Sequence, residues 1–365
     1  MRAATLIYGP HPHHLDHLGP LSQILEIPLF LTDEEIFSQA QAFYPALDAR
    51  LYSSLEVTDA LLQKNQAVIS CLSKTLIEEL FFFVRHAHGK NYFPIWCPHG
   101  NSDKGYANGA MKLLKEERAA FIYGEKMLEV FNLPETSRDV RPYVLTGNYR
   151  LYDYQMHRAF YDEVATKHIR RKLPSATRTI LFAPTWDDHE GESAFNEACE
   201  VLIQTLPSST NLIIKLHPNT LVQNERKIAQ LYDRYAGDSH ILFLDHYPHI
   251  YSLLALCDLY IGDFSSIGYD FLAFNKPMIF LNQRQLDKRT SPGASLFRCG
   301  VTVDPSDYPR IYSIMENLLP HDSQLFSAIR QEVYTHTFGR EEQSKTVPHQ
   351  TEHMLQKLFE EFEWL

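Results

Sequence analysis

The sequence is short of several features that would place it in a common class of protein. Its five cysteines, in 365 residues, are scattered at positions 71, 97, 199, 257 and 299 and include no CxxC pair. An odd number at irregular spacing predicts buried free thiols in a reducing compartment rather than a disulfide framework. No apolar run approaches the roughly 18 residues of a membrane-spanning helix. The N-terminus also lacks the apolar core and cleavage site of a signal peptide. We therefore expect a cytoplasmic protein.

The sequence also has fewer positively charged than negatively charged residues. Lysine and arginine number 34 against 45 aspartates and glutamates, so the formal net charge is −11. Such a surface repels phosphate backbones, which argues against a nucleic-acid partner. It also argues against simple adsorption to anionic membranes, although peripheral association at the inner face through a partner stays open. The 44% apolar and 22% charged residues are typical of a globular protein and exclude disorder as the dominant state.

Two nucleotide-binding fingerprints are missing as well. No G-x-G-x-x-G follows the first predicted strand, and no Walker A motif occurs anywhere in the chain. The dinucleotide-binding dehydrogenases therefore lack their signature here. Any nucleotide site in this protein must be built from other residues.

What the sequence does contain is a regular alternation of short apolar runs and longer helical segments. The runs are four to six residues long in most cases and apolar on both faces, which is typical of parallel strands covered by helices. They are residues 3–8, 28–31, 50–53, 67–71, 93–97, 119–123, 143–146, 179–183, 211–216, 241–244, 259–262, 277–281 and 301–303. The pattern predicts an α/β fold with parallel sheets.

Thirteen strands are too many for one ordinary sheet, so we expect two doubly wound, Rossmann-like domains facing across a cleft. We place an N-terminal, acceptor-side domain at 1–155 and a nucleotide-donor domain at 156–345. Residues 346–365 carry apolar side chains at helical spacing and predict an amphipathic helix that docks back. In such folds, ligands bind at the carboxyl ends of the strands, so the residues that directly follow strands are the candidates for the binding site.

The first such segment is FPIWCPHGNSDKG, residues 93–105, in which a strand runs into His99 and Gly100. A histidine at a strand end can act as a general base, because its usual pKa lies near 6.5. Glycine lets the backbone approach a ligand closely, and Lys104 can neutralise a phosphate. A turn histidine beside a solvated lysine is the alternative.

Two further strands end in polar residues. The strand before Pro184 leads into Thr185, which can donate to a phosphate, and Trp186, which can stack on a base or sugar. The strand before Pro218 contains Lys215 and ends at His217. A lysine in an apolar strand needs a partner or an exit to solvent, so both side chains are candidates for the cleft. Packing over the sheet end and loop capping are the structural alternatives.

The segment GDFSSIGYDFLAFNKP, residues 262–277, joins a strand to a helix that we expect to run to about Phe274. Ser265 and Ser266 stand at the start of that helix, where hydroxyls and free N–H groups attract anions. A pyrophosphate is a natural guest of such a site. Plain N-capping by serine is the alternative.

Two lesser features concern the first domain. Residues 9–17 hold histidines at 11, 13, 14 and 17 in what we take to be a loop after the first strand. Their crowding does not match a defined metal spacing, so we expect no metal and interpret the loop as lining the cleft, with His14 or His17 facing an acceptor. Asn148, in the turn between the domains, either lines the cleft or turns the chain.

Taken together, these segments resemble the CDP-glycerol glycerophosphotransferase family, which includes teichoic-acid polymerases and primases. His99-Gly100 with Lys104, Ala183–Trp186, Lys215–Pro218 and Asp263–Ser266 follow the family's order and spacing. Asp270 and Lys276-Pro277 match its following helix and closing pair. The resemblance covers about residues 93–281 and implies a GT-B fold, in agreement with the two-domain prediction.

The resemblance also implies roles for individual residues. His99 would be the base toward an acceptor hydroxyl, and His217 would act at the phosphates. Thr185, Ser265 and Ser266 would hold the nucleotide diphosphate, with no cofactor and no required metal. Glycerol phosphate, or a similar alditol phosphate, would pass from a CDP-activated donor to a hydroxyl on a lipid-linked or glycan primer, and CMP would leave.

Two alternatives stay open at this point. A GT-B glycosyltransferase or UDP-sugar epimerase would use a UDP-sugar; an epimerase would need carboxylates, which Asp187, Asp188 and Glu190 could supply. A protein that binds nucleotides without turnover is the second alternative. Replacing His99 distinguishes an enzyme from a sensor, since only the enzyme has turnover to lose.

Overall fold

A computed structural model describes residues 2–103, 117, 119–132, 142–187, 193–287 and 294–362. The described residues divide into two compact units. The first comprises residues 2–101, 117, 119–132, 142–157 and 335–362, and the second comprises 102–103, 158–187, 193–287 and 294–334. Residues 335–345, which we assigned to the second domain, cluster with the first unit.

The first unit is built on a parallel sheet of seven strands in the part of the chain described. The strands are β1 (Ala3–Ile7), β2 (Leu29–Leu31), β3 (Ala49–Leu51), β4 (Ala67–Ser70), β5 (Phe93–Trp96), β6 (Ala120–Ile122) and β7 (Tyr143–Leu145). Their spatial order is β3-β2-β1-β4-β5-β6-β7. Strands β1, β2 and β4 are buried throughout, as expected of strands covered on both faces.

Short helices connect these strands or follow the last of them. They are α1 (Leu15–Leu25), α2 (Glu34–Phe43), α3 (Val57–Leu62), α4 (Lys74–Leu80), α5 (Phe82–His88), α6 (Glu125–Asn132) and α7 (Tyr149–Met156). Near the C-terminus, α16 (Glu341–Lys345) and α17 (Val347–Phe362) join the same unit. Helix α17 buries Val347, Met354 and Leu358, and its Gln350 side chain exchanges hydrogen bonds with the backbone of Leu145.

The second unit repeats the plan with six parallel strands among the described residues. They are β8 (Arg178–Phe182), β9 (Thr210–Ile214), β10 (Ile241–Phe243), β11 (Leu259–Gly262), β12 (Met278–Leu281) and β13 (Val301–Val303). Their order is β10-β9-β8-β11-β12-β13. The helices are α8 (Arg158–His168), α9 (Phe195–Gln204), α10 (Pro218–Gln223), α11 (Glu225–Tyr235), α12 (Ile250–Leu256), α13 (Ser266–Phe271), α14 (Ile311–Leu318) and α15 (Asp322–Phe338). The last four residues of α15 cluster with the first unit.

Each sheet reverses its direction of winding at one place. In the first unit the chain moves from β1 outward to β3 and then returns to place β4 on the other side of β1. In the second unit it moves from β8 to β10 and returns to place β11 beside β8. The loops that leave two neighbouring strands diverge at such a point, which opens a crevice at their carboxyl ends. Each unit therefore has one topologically favoured ligand site.

The α/β prediction is confirmed. All thirteen predicted strands form, most within one residue of the predicted ends, and all strand pairs are parallel. All five cysteines are buried free thiols. Among the described residues, no helix has both the length and the apolarity to cross a membrane.

Candidate functional site

In the first unit, three neighbouring strands bring polar residues to the point where the winding reverses. His14 follows β1, Cys71 follows β4 directly, and His99 follows β5 after two residues. The ring centroids of His14 and His99 are 5.3 Å apart, and His13 lies 5.7 Å from His99. The sequence-predicted base therefore sits among imidazoles rather than alone at a strand end.

The histidine-rich segment is more ordered than we expected from its composition. Pro12–His14 forms a 3-10 turn that leads directly into α1, so the predicted loop after β1 is wrong in this part. Proline at the first position suits such a turn, because its backbone angle is already helical. His14 and His17 are buried as a result, His14 at 4% exposure.

Burial, and then the neighbouring imidazoles, lower the pKa of His14 and of His99. The pKa of His14 is lowered far below 6.5 by loss of hydration and by the neighbouring His13, His99 and His11. The side chain of His99 is open to solvent, but the surrounding protein atoms and His11 still lower its pKa. A neutral imidazole keeps a free lone pair, which is the form that a base or a metal ligand requires.

A hydrogen-bonded chain holds the backbone next to His99. The hydroxyl of Tyr123 donates to the carbonyl oxygen of Pro98 at 3.2 Å, and His17 Nδ1 lies 2.9 Å from the same hydroxyl. Tyr149 in turn donates to the carbonyl oxygen of His17 at 3.2 Å. All three rings are buried, so the position of His99 depends on a fixed polar network. Sequence reasoning missed Tyr123 because nothing local distinguishes it from other buried tyrosines.

Two other residues of the first unit take backbone roles. Gly100 has φ +131°, a conformation that favours glycine, so it is needed at the turn after His99. Asn148 is the N-cap of α7, and its side chain accepts from the Leu151 amide at 3.1 Å. The structure thus gives Asn148 a capping contact. Lys104 lies outside the described residues.

In the second unit, Thr185 and Asp263 meet where the winding reverses. Thr185 follows β8 and Asp263 follows β11, the two strands on either side of that point. One carboxylate oxygen of Asp263 accepts from the Thr185 amide at 2.7 Å, and the other accepts from the Ala194 amide at 2.9 Å. The Thr185 carbonyl accepts from Ser193 Oγ at 2.8 Å. Asp263, which is fully buried, therefore fixes the loop that carries Thr185.

The serine segment begins α13 as predicted, and the helix continues as a 3-10 turn to Phe274. Ser265 is buried and does not cap the helix with its side chain, whereas Ser266 is half-buried. Asp270 lies on the interior side of α13 and accepts from the hydroxyl of Tyr251 at 3.0 Å. Asp270 is therefore engaged with a neighbouring helix of its own unit.

Trp186 and His217 lie close together at the same edge of this sheet. Their ring centroids are 6.1 Å apart, and both side chains are half-buried. His217 Nδ1 accepts from the Asn219 amide at 3.1 Å, so in the neutral ring the proton sits on Nε2. That nitrogen can donate a hydrogen bond to an anionic oxygen.

Lys215 is placed differently from our expectation. Strand β9 ends at Ile214, so Lys215 follows the strand instead of lying inside it. Its Nζ donates to the carbonyl oxygen of Tyr247 at 3.1 Å, which anchors the half-buried side chain beside the strand end. The hydrogen bond gives the ammonium group of Lys215 a partner, so its burial does not carry the cost of an unpaired charge in an apolar strand.

Asp103 is a residue whose placement only the structure reveals. It clusters with the second unit, where it is buried and accepts from the Tyr269 hydroxyl at 2.6 Å and from the Leu296 amide at 3.3 Å. Of the carboxylates considered for an epimerase, Asp187 is exposed, and Asp188 and Glu190 lie outside the described residues.

The fold defines a class of protein. Two α/β units with parallel sheets follow one another along the chain, as in a GT-B-like fold. It is shared with the wall teichoic acid polymerase TagF, with 98% of this chain and 90% of that chain covered, a TM-score of 0.66 and 13% identity. The UDP-GlcNAc 2-epimerase of Neisseria meningitidis, in a structure bound to UDP-GlcNAc, covers 96% of this chain and 99% of its own. Its TM-score is 0.59 and its identity 13%. At these identities the likeness concerns the fold.

The sequence match is more particular. Residues 144–291 match the model of the family described as CDP-glycerol:poly(glycerophosphate) glycerophosphotransferase, which confirms the resemblance over that range. The teichoic acid glycerol-phosphate primase of Bacillus subtilis (strain 168) is 35% identical over 118 residues, 32% of this chain and 27% of that protein. The teichoic acid poly(ribitol-phosphate) polymerase of Bacillus spizizenii is 28% identical over 134 residues, 34% of this chain and 20% of its own. These matches span about a quarter of the relatives' length.

Proposed function

We propose that this protein is a glycerophosphotransferase that moves glycerol phosphate, or a similar alditol phosphate, from a CDP-activated donor to an acceptor hydroxyl. The observation that carries the proposal is the family match over residues 144–291. That range contains Thr185, Lys215, His217, Ser265 and Ser266, which all follow strands of the second sheet at its carboxyl edge. We assign the nucleotide diphosphate to this edge.

The reaction needs a base, neutralisation of charge and alignment. We assign the base to His99, whose lowered pKa leaves it neutral and able to take the proton of an acceptor hydroxyl. The acceptor oxygen then forms a bond to the phosphorus next to glycerol. The bond between that phosphorus and the bridging oxygen breaks, and CMP leaves with the electron pair.

His217 suits a different task from that of His99. Its Nδ1 already accepts a backbone hydrogen bond, so Nε2–H is the group it presents as a donor. A donor aimed at a phosphate oxygen stabilises charge that builds up in the transition state. Trp186, 6.1 Å from the His217 ring, provides an aromatic face for the base or sugar. A lipid-linked or glycan primer is the acceptor we propose.

The direct test is release of CMP from CDP-glycerol, measured with and without a glycerol-phosphate primer. We expect release that depends on the primer and falls about 10²–10⁴-fold in His99→Ala, the range typical of a lost general base. His86→Ala is the matched control, because His86 is exposed on α5. Chelator-treated wild-type protein that releases no CMP with any glycerol-phosphate or glycan primer would overturn the proposal.

Donor identity is tested separately by thermal shift with CMP, CDP, UMP, UDP and phosphate. A ligand at about 100 times its dissociation constant stabilises the folded state by about 2.7 kcal/mol, so selective binding is readily seen. We expect selective stabilisation by cytidine nucleotides. Selective stabilisation by uridine nucleotides would favour a UDP-sugar enzyme instead, as the fold shared with the UDP-GlcNAc 2-epimerase allows.

A further inference from the structure

The first unit contains a group of side chains with the composition of a transition-metal site. One ligand atom each from His14, Cys71 and His99 lies within 4.8 Å of the other two. In a tetrahedral zinc site, bonds of about 2.0–2.3 Å place ligand atoms about 3.3–3.8 Å apart. Side-chain rotations that move the ligand atoms by about an ångström would therefore bring them to the spacing of a zinc site.

The sheet topology explains why these residues meet. Strand β4 is hydrogen-bonded to β1 on one side and to β5 on the other. His14, Cys71 and His99 follow these three strands, so all three side chains stand at one edge of the sheet, at the point of reversed winding. Their sequence separation hides the relationship, since no two of them form a local metal-binding motif.

We propose that the first unit binds one Zn²⁺ ion through His14, Cys71 and His99, with water in the fourth position. Two imidazoles and a thiolate form a ligand set that suits borderline-soft ions such as Zn²⁺ and its spectroscopic substitute Co²⁺. Bonds to the three protein ligands replace bonds between the hydrated ion and water, one water stays bound, and the thiol proton of Cys71 is released to solvent. The site goes beyond the transferase activity proposed above and does not depend on it.

An independent observation at His14 points to a ligand. The side chain is 4% exposed, and its Nδ1 has no hydrogen-bond partner among the residues that the structure describes. A buried ring nitrogen without a partner is unfavourable, because it has lost its hydrogen bond to water and gained none in the protein. A metal ion bound at Nδ1 would satisfy this nitrogen.

The ion would compete with the base function assigned to His99. A nitrogen bound to Zn²⁺ has no lone pair left to accept a proton. If the transferase proposal is also correct, Zn²⁺ should inhibit CMP release in a way that a chelator reverses. This consequence rests on the proposed function, whereas the binding test below does not.

The test is a Co²⁺ titration of the chelator-treated full chain, followed by competition with Zn²⁺. We expect one equivalent to bind, with a thiolate-to-Co²⁺ charge-transfer band and the ligand-field bands of a tetrahedral site. Zn²⁺ should then abolish both. The charge-transfer band should be lost in Cys71→Ser, and His14→Ala should weaken binding by at least about 100-fold.

Cys97→Ser is the matched control, because Cys97 is a second buried thiol that follows β5 directly and contacts Cys71. It should keep the band. The proposal is overturned if wild-type protein shows no saturable thiolate band. It is equally overturned if Cys71→Ser keeps the band while Cys97→Ser loses it. Circular dichroism identifies a variant that has not folded, and the wild-type titration together with His14→Ala then decides.

Discussion

The carboxylate of Asp263 accepts the backbone amide of Thr185 at 2.7 Å, across the point where the second sheet reverses its winding. The same carboxylate accepts from Ala194, at the start of α9. One buried side chain thus connects three elements of the second unit: the end of β8, the end of β11 and the N-terminus of α9. The two oxygens of a carboxylate meet two donors, which an amide cannot reproduce.

Asp263→Asn should therefore destabilise the protein. One of the two backbone amides would face an NH₂ group, and an unsatisfied buried donor costs about 1–3 kcal/mol. Urea unfolding measures the loss, and the stabilisation by cytidine nucleotides should weaken with it. Asp258→Asn is the control, since exposed Asp258 also accepts one amide, that of Thr179, at 2.8 Å. A change above about 0.5 kcal/mol in the control would contradict this explanation.

His99→Ala should separate chemistry from binding. Because His99 belongs to the first unit and the proposed nucleotide residues to the second, we expect CMP release to fall while the thermal shift with cytidine nucleotides stays unchanged. Steady-state kinetics and thermal shift on the same preparation provide the measurement. Loss of nucleotide binding in this variant would show that His99 contributes to the donor site.

Tyr123 should act as a positioning residue for His99. Tyr123→Phe removes the donor to the Pro98 carbonyl and the partner of His17 Nδ1. We expect kcat for CMP release to fall about tenfold with the donor KM unchanged, since about 1.4 kcal/mol of alignment corresponds to that factor. The variant should also lose about 1–3 kcal/mol of stability.

Tyr312→Phe separates the two effects of that change. Tyr312 is buried in the second unit and donates to the Leu202 carbonyl at 2.9 Å, so its removal breaks a similar bond far from His99 along the chain. It should lower stability by a similar amount and leave kcat alone. Equal losses of kcat in the two variants would show that Tyr123 contributes to stability only and does not position His99.

His17 should make the protein sensitive to acid. Burial, and then repulsion by Arg150, lowers the pKa of His17 well below 6.5. Below pH 6.5 the unfolded chain takes up a proton at this residue and the folded chain does not, so the free energy of unfolding falls as pH falls. The contribution is about 1.4 kcal/mol per pH unit.

The variant His17→Gln removes this titration. Urea unfolding of chelator-treated protein between about pH 7 and pH 5 should show a shallower decline for the variant than for wild type. His353→Gln, on α17, is the control for a histidine that is exposed. Parallel curves for wild type and His17→Gln would mean that His17 is not the residue responsible.

A buried ion pair should contribute far more to stability than a surface pair. Arg150 Nη1 lies 2.6 Å from Asp16 Oδ2 and connects α7 to α1, with 2% and 11% of the two side chains exposed. Arg150→Met should cost about 3–5 kcal/mol, because it removes the cation that pairs with a buried carboxylate. Arg310→Met breaks the exposed pair with Asp307 and should cost at most about 1 kcal/mol. Melting temperatures of the two variants compare them directly.

Local pattern was sufficient to predict the strands. Most of the thirteen are short apolar runs bounded by polar or turn residues, and strands such as β1, β4 and β9 are buried on both faces, so they show no alternation. Strand β3, Ala-Arg-Leu at one edge of its sheet, is half-buried to exposed. The strand ends were less accurate where an apolar residue continues past the last paired position. Strand β9 is an example. The buried, apolar Leu216 extended the predicted strand past Lys215, but the strand ends at Ile214.

The histidine segment shows where composition misled the prediction. Four histidines among glycine and prolines suggested a loop, but Pro12 starts a 3-10 turn and α1 follows at once. The buried position of His14 then depends on the packing of that turn against the strand ends. Asn148 shows a related limit, because a capping contact and a ligand contact require the same kind of side chain.

The sequence by itself determined the parallel α/β character, the number of strands and the order of the motifs, because each of these depends on residues that are close together in the chain. Strand order was decided only in the tertiary structure. It places β4 between β1 and β5, which brings Cys71 to His14 and His99, and it places β11 beside β8, which brings Asp263 to Thr185. No local pattern carries this information, since it depends on the direction in which each crossover helix packs across its sheet.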